Sequence, residues 1–166
     1  MILDHRAGLY EASQRLSPIN PDHARVPIEE GFNWSSCLND PRFERLYLVV
    51  FRSVRRATAD LALLKEHDDR AYAAALEVGG LLRYFKGEMN ERRECLSFCL
   101  WVSRDQAIAA SRGASHRTAA QVSTEMYDSY VLARYDVVKG EGGSLVFRRL
   151  QGASPCEGVG ASGISA

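Results

Sequence analysis

The stretch Arg45-Leu46-Tyr47-Leu48-Val49-Val50-Phe51-Arg52-Ser53-Val54-Arg55 constrains the fold more than any other part of this chain. Strand alternation puts Leu46, Leu48, Val50 and Arg52 on one face, and Tyr47, Val49, Phe51 and Ser53 on the other. Both faces are apolar, which is the pattern of a central strand buried on two sides. A sheet built around such a strand needs cover on both faces.

The segments that follow supply the rest of that sheet. A helix is expected from Thr58, read as its N-cap, to about Val78, where Gly79-Gly80 stops it. Two strands come next, Leu81–Gly87 and Glu94–Val102, joined by a polar loop that suits an antiparallel hairpin. Ser103-Arg104-Asp105-Gln106 reads as a capping box. The helix it opens breaks near Gly113, restarts with Ser115 as cap and runs to about Tyr127. Asp128-Ser129 turns the chain into a strand at Tyr130–Tyr135, and Ser144–Leu150 reads as one more short strand. The order β-α-β-β-α-β folds as a ferredoxin-like split sheet with both helices on one face. With no third helix in view, a second copy of the sheet is the expected cover for the other face. The resulting expectation is a homodimer joined sheet to sheet, an α+β fold that forms a dimeric α+β barrel.

Three parts are expected: residues 1–44 as an N-terminal arm, 45–150 as the α+β domain, and 151–166 as a flexible tail rich in Gly, Ser and Ala. In the arm, His5–Leu16 has a loose helical face, and Pro18, Pro21 and Pro27 break regular structure after it. Phe32 and Trp34 make it an ordered arm lying on the domain rather than a floating segment.

Composition excludes several functions. With 166 residues, 46% of them hydrophobic, the chain is one soluble-type domain able to bury a core without staples. Lys plus Arg (21) balances Asp plus Glu (21), which argues against nucleic-acid binding and against electrostatic attachment to a membrane. The start of the chain, with Asp4, His5 and Arg6, is not a secretory signal, and no window reaches the roughly 20 apolar residues of a membrane span. A cytoplasmic protein with reduced thiols is expected. Cys95 and Cys99 share a strand face but lie about 13 Å apart along it, too far to bridge. No Cys/His spacing suggests a metal site and no Gly-rich phosphate loop follows a strand, so no cofactor is expected.

Among chemistry-bearing residues His116 stands first. At a helix start, the positive dipole end favours the neutral imidazole, which can act as a general base near neutral pH. The alternative is that it caps the helix or packs on the third strand. Trp101 shares a strand face with Cys95, Ser97 and Cys99 and either lines an aromatic pocket or packs in the core. Tyr84, Tyr127 and Tyr130 are candidate hydrogen-bond donors to a carbonyl or enolate. Arg52, Arg83 and Arg134 lie within strands and need either an internal carboxylate such as Asp136 or an anionic substrate. Nothing near Cys99 in the sequence lowers its pKa, so it is not expected to be a nucleophile.

Leu100-Trp101-Val102-Ser103-Arg104-Asp105-Gln106-Ala107, followed by Ser115-His116-Arg117, resembles the dimeric α+β barrel superfamily of antibiotic-biosynthesis-monooxygenase and EthD type. The resemblance covers residues 45–138, and the arm has no counterpart in the small bacterial members. Phe-Arg-Ser-Val-Arg-Arg and Gly-Leu-Leu-Arg-Tyr-Phe are similar to segments of poorly characterised fungal proteins. The resemblance implies a pocket between sheet and helices and, in many members, cofactor-free chemistry. On that footing His116, Tyr84 and Arg83 are the expected catalytic residues. Trp101, Cys99, Tyr127, Tyr130 and Phe51 are expected to contact a small apolar organic substrate. The activity expected is that of an isomerase, cyclase, dehydratase or monooxygenase. The alternative is a non-catalytic dimeric protein that binds a small ligand or acts structurally, since fold alone does not choose the chemistry.

Overall fold

The computed structural model describes residues 2–151. A single antiparallel sheet of five strands forms its centre, in the order β2-β3-β1-β4-β5. The strands are β1 (Arg45–Arg55), β2 (Leu81–Lys86), β3 (Glu94–Trp101), β4 (Tyr127–Lys139) and β5 (Leu145–Leu150). Helix α4 (Leu61–Val78) links β1 to β2, and α5 (Arg104–Ser111) with α6 (Ala114–Met126) links β3 to β4. This is the ferredoxin-like β-α-β-β-α-β order, extended by a fifth strand.

Both faces of β1 are apolar and both are covered, each by a different part of the chain. The face bearing Tyr47 packs under α4 and α5, in a cluster with Ala75, Leu81, Trp101, Ala107 and Ala110. The face bearing Leu46, Leu48 and Val50 packs against residues that precede the sheet. These form three helices, α1 (Ile2–Gln14), α2 (Ile28–Gly31) and α3 (Trp34–Leu38). Their Leu9, Leu16, Ile28, Phe32, Trp34 and Leu38 meet Leu96, Phe98 and Leu100 of β3 and Val137 of β4. The chain itself thus packs residues of the arm on the face for which a second copy of the sheet was expected as cover. The prolines of the arm break long helices without preventing short ones. Residues 28–38 form two short helical turns that bury Ile28, Trp34, Cys37 and Leu38.

Polar contacts fix how the arm sits. The register of β2 shifts between Leu81 and Arg83, which frees the Leu82 carbonyl from the ladder. Ser13 Oγ lies 2.8 Å and Gln14 Nε2 2.5 Å from that oxygen. Trp34 Nε1 donates to the Ile28 carbonyl at 2.7 Å, so the indole is buried without an unpaired N–H. Arg52 donates to the Ala24 carbonyl and, at 2.7 Å, to that of Val26. A carboxylate such as Asp136 or an anionic substrate was the expected partner; backbone oxygens of the arm serve instead, and Asp136 pairs with Arg45 at 3.3 Å. Arg25 reaches the Glu94 carboxylate at 2.9 Å. Hydrogen bonds from Asn90, Arg92 and Arg25 hold that carboxyl at about 2, well below its usual value.

Local expectations need three adjustments. Asp60, not Thr58, caps α4, accepting from the Leu63 N–H at 3.0 Å. Ser103 caps α5 as expected, but Gly113, not Ser115, precedes α6, with no side-chain cap. Asp128 and Ser129 belong to β4, which begins where α6 ends, rather than to a turn. Of the expected tail, only Gln151 falls within the described residues. No described helix is long and apolar enough to cross a membrane.

Trp34 is 2% exposed and its ring lies 5.1 Å from that of Phe98. Trp34→Ala is expected to cost about 3–5 kcal/mol in urea unfolding, because neither arm nor sheet can collapse into the space left behind. Far-UV circular dichroism without denaturant should stay close to wild type.

Candidate active site

The helix-covered face of the sheet holds most of the chain's candidate chemistry. Across the strands, Tyr84, Cys99, Val49 and Arg134 stand in one registered row. Above the β2 end of that row sits Asp68 of α4. Tyr84 Oη donates to Asp68 Oδ1 at 2.5 Å, and Lys86 Nζ donates to Oδ2 at 2.5 Å. The phenol proton of Tyr84 is thus committed to a carboxylate. Burial, then Asp68, raises the Tyr84 pKa above its ordinary 10.0, so the ring stays a phenol at any physiological pH.

Asp68 was not anticipated, although the sequence carries a signal for it. Leu61, Leu64, Asp68, Ala71, Ala75 and Val78 follow alternating steps of three and four, one face of a helix. Ala71 and Ala75 are the buried members of that stripe. Asp68 therefore occupies a slot where an apolar side chain is the default, and a carboxylate there needs partners in the sheet. Its neighbours divide cleanly: Lys65–Asp69 and Arg70–Glu66 pair along the exposed side of the same helix.

His116 lies in the first turn of α6 and is half-buried. Its Nδ1 is closed off from solvent and has no hydrogen-bond partner among the described residues. Burial lowers its pKa from the ordinary 6.5, and the charge of Asp68 opposes the shift. The outcome is a neutral imidazole close enough to Asp68 to feel it, with one ring nitrogen uncommitted.

The other expected residues divide between the two sheet faces. Cys99 is half-buried beside Tyr84, and desolvation, then Asp68, pushes its thiol up to about 12, so it is inert as a nucleophile. Tyr127 lies on the same side; burial raises its pKa and Arg55 opposes this. Tyr130 is 37% exposed, with its ring 5.3 Å from that of Tyr127 and 6.2 Å from that of Phe51. Phe51, Tyr127 and Tyr130 thus form an aromatic group at the open end of the seam. Trp101 is 3% exposed and sits in the core under α5, the packing alternative, away from this group. Arg83 is on the opposite face: its guanidinium lies against the arm, 3.3 Å from Gln14 Oε1. Adjacent strand residues point to opposite faces, so Arg83 cannot join Tyr84 in one site. Arg55 and Arg134 are strand arginines on this side, and the Arg55 Nε is buried with no hydrogen-bond partner among the described residues. Simple alternation from Tyr47, Val49, Phe51 and Ser53 gives that placement, and the register shift beside it falls on β4, where Asp128 is passed over.

Two hollows stand out on the molecule, of about 380 and 390 Å³. Neither touches His116, where a pocket between sheet and helices was expected. Among the described residues, no group of three or more His, Cys, Asp or Glu side chains is arranged to hold a metal ion.

These features define a ferredoxin-like α+β protein with an acid–base cluster between α4, α6 and the sheet. The PB2B2.08-like family matches residues 2–148, arm included, and the chain belongs to that family. No curated protein matches it. Among solved structures, the chain is similar to SnoaB of Streptomyces nogalater, a cofactor-independent oxygenase. That match has 14% identity and a TM-score of 0.42, over 54% of this chain and 91% of SnoaB. It is also similar to a dimeric ferredoxin-like protein of unknown function from Thermobifida fusca. There the identity is 10% and the TM-score 0.45, over 55% of this chain and 90% of the other.

Two measurements check the electrostatics. Because the folded His116 has the lower pKa, the unfolded chain takes up its proton first as pH falls. The stabilisation is complete above about 6.5, the ordinary imidazole value, and is lost as pH drops below it. Urea midpoints should fall on acidification, and His116→Gln should remove that component. In alkaline titration by ultraviolet absorbance, Tyr84 should remain protonated until the chain unfolds. Tyr84→Phe should then leave the native titration unchanged while costing roughly 1–3 kcal/mol, since Asp68 loses a hydrogen bond.

Proposed function

We propose that this protein is a cofactor-independent small-molecule enzyme working by acid–base chemistry at the seam between the sheet and helices α4 and α6. The observation that carries this reading is His116: a neutral, half-buried imidazole whose Nδ1 has no hydrogen-bond partner among the described residues, within reach of the charge of Asp68, which Tyr84 and Lys86 hold. A neutral imidazole can take a proton from a carbon next to a carbonyl, or from a phenol. Lys86 brings positive charge to the same group, where it can stabilise the oxyanion that forms. Tyr84 serves in this scheme to orient Asp68, since its proton is already donated. The aromatic group Phe51, Tyr127 and Tyr130 offers an apolar surface for a natural-product-like substrate. Isomerisation, cyclisation, dehydration and oxygenation of such a molecule all begin with this proton removal.

A second reading, a non-catalytic ligand-binding or structural protein, draws on one observation: neither of these two hollows reaches His116. Metabolite extracts of cells lacking the protein, incubated with it and followed by mass spectrometry, separate the two. The enzyme reading expects a compound that disappears, with His116→Ala slowing its turnover by about 10²–10⁴-fold. It also expects kcat/KM to fall on the acid side as His116 takes up a proton. Turnover unchanged in His116→Ala would remove this residue from the base role, and no consumed compound would leave the ligand-binding reading.

A further inference from the structure

Strand β4 is paired along only part of its outer side. The β4·β5 ladder runs from Lys139–Leu145 to Arg134–Leu150 and stops there, whereas β4 runs back to Tyr127. On its inner side the same stretch stays on β1, from Ala133–Val50 to Tyr127–Arg55. Among the described residues no strand lies against the outer edge of residues 127–133. Backbone N–H and C=O groups on that edge are a template for another strand.

The side chains of this stretch agree with that reading. Val131 is 52% exposed and Tyr130 37%, and these neighbours stand on opposite faces of the sheet. Tyr127-Asp128-Ser129-Tyr130-Val131-Leu132-Ala133 contains no Pro, Lys or Arg, the residues that guard an open edge. Its one charge, Asp128, is engaged by Arg93 at 3.3 Å and Arg56 at 3.6 Å. The opposite edge of the sheet is treated differently. There the end of α1 lies on β2, with Ser13 and Gln14 at the Leu82 carbonyl.

We propose that residues 127–133 pair with the same edge of a second copy of the chain, antiparallel about a two-fold axis at Tyr130. The two five-stranded sheets then join into one. A two-fold contact serves both open edges at once. The stretch is self-complementary in this register: Tyr130 meets Tyr130, Ser129 meets Val131, and Asp128 meets Leu132. The two copies of Asp128 lie about 14 Å apart along the strands, so no like charges face each other. With 21 basic and 21 acidic residues, the chain brings no net repulsion to self-association. The axis stands normal to the sheet, so the helices of both copies lie on one side. The two Tyr130 rings then meet at the open end of both seams, beside Phe51 and Tyr127. A single strand pair is a small interface, which puts association at about the micromolar level. The contact does not depend on the chemistry proposed at His116.

Sedimentation equilibrium of the full chain, from low to high micromolar concentration, tests the contact. The mass should rise from 18.5 kDa toward twice that value. Val131→Lys and Ser129→Glu, both at exposed positions, should each weaken the dimer by roughly tenfold. The double variant sets opposite charges against each other across the axis and should recover much of the loss. Circular dichroism checks that each variant folds. A wild-type chain that stays at 18.5 kDa overturns the proposal, as do single variants that dimerise like wild type. A double variant no tighter than the single ones overturns the Tyr130 register. Slow amide exchange along 127–133 in a chain that stays monomeric would assign the edge to residues 152–166 instead.

Discussion

The arm's closure of one sheet face is the interaction on which the rest of the structure depends. β1 is apolar on both sides, and a sheet with one such face left wet would associate or fail to fold. Phe32 and Trp34 close it by packing against Phe98, with ring centroids 5.1 Å apart in each pair. The closure is specific as well as apolar, because the arm also answers polar groups that the sheet leaves open. The Leu82 carbonyl freed by the bulge meets Ser13 and Gln14, and Arg52 meets carbonyls of the arm. An apolar surface alone would hold the arm in many registers; these bonds select one.

With that face occupied in cis, the candidate chemistry is confined to the helix side. There Asp68 is the organising charge. It accepts from Tyr84 and Lys86, and it acts on the protonation of Cys99 and His116. Burial and Asp68 both hold the tyrosine and the cysteine protonated. At His116 the two oppose each other, and burial wins, leaving the imidazole neutral. One carboxylate in the apolar stripe of α4 thereby gives three neighbouring groups different roles.

Much of this was legible in the chain. β2 and β3 were placed to within a residue, and β1 at its bounds, because alternation of apolar side chains is a local property. Gly79 ends α4 as expected, with φ 79° and its N–H on the Leu76 carbonyl. Asp68 was legible and overlooked, since the run Glu66–Arg70 reads as solvated until each residue is assigned to its helix face. Arg83 could have been set aside from strand alternation alone. The cover given by the arm and the partner of Arg52 were not legible. Each depends on contacts between segments tens of residues apart.

The sequence by itself determined the β-α-β-β-α-β order, the two-faced apolar strand at its centre and the placement of His116 at the start of a helix. These follow from periodicity and from helix signals that act within a few residues. The tertiary structure decided what covers the second face of the sheet, and that the charge of Asp68 reaches His116. Those outcomes turn on which distant surfaces fit together, and packing is a property of the assembled chain rather than of any one stretch of it.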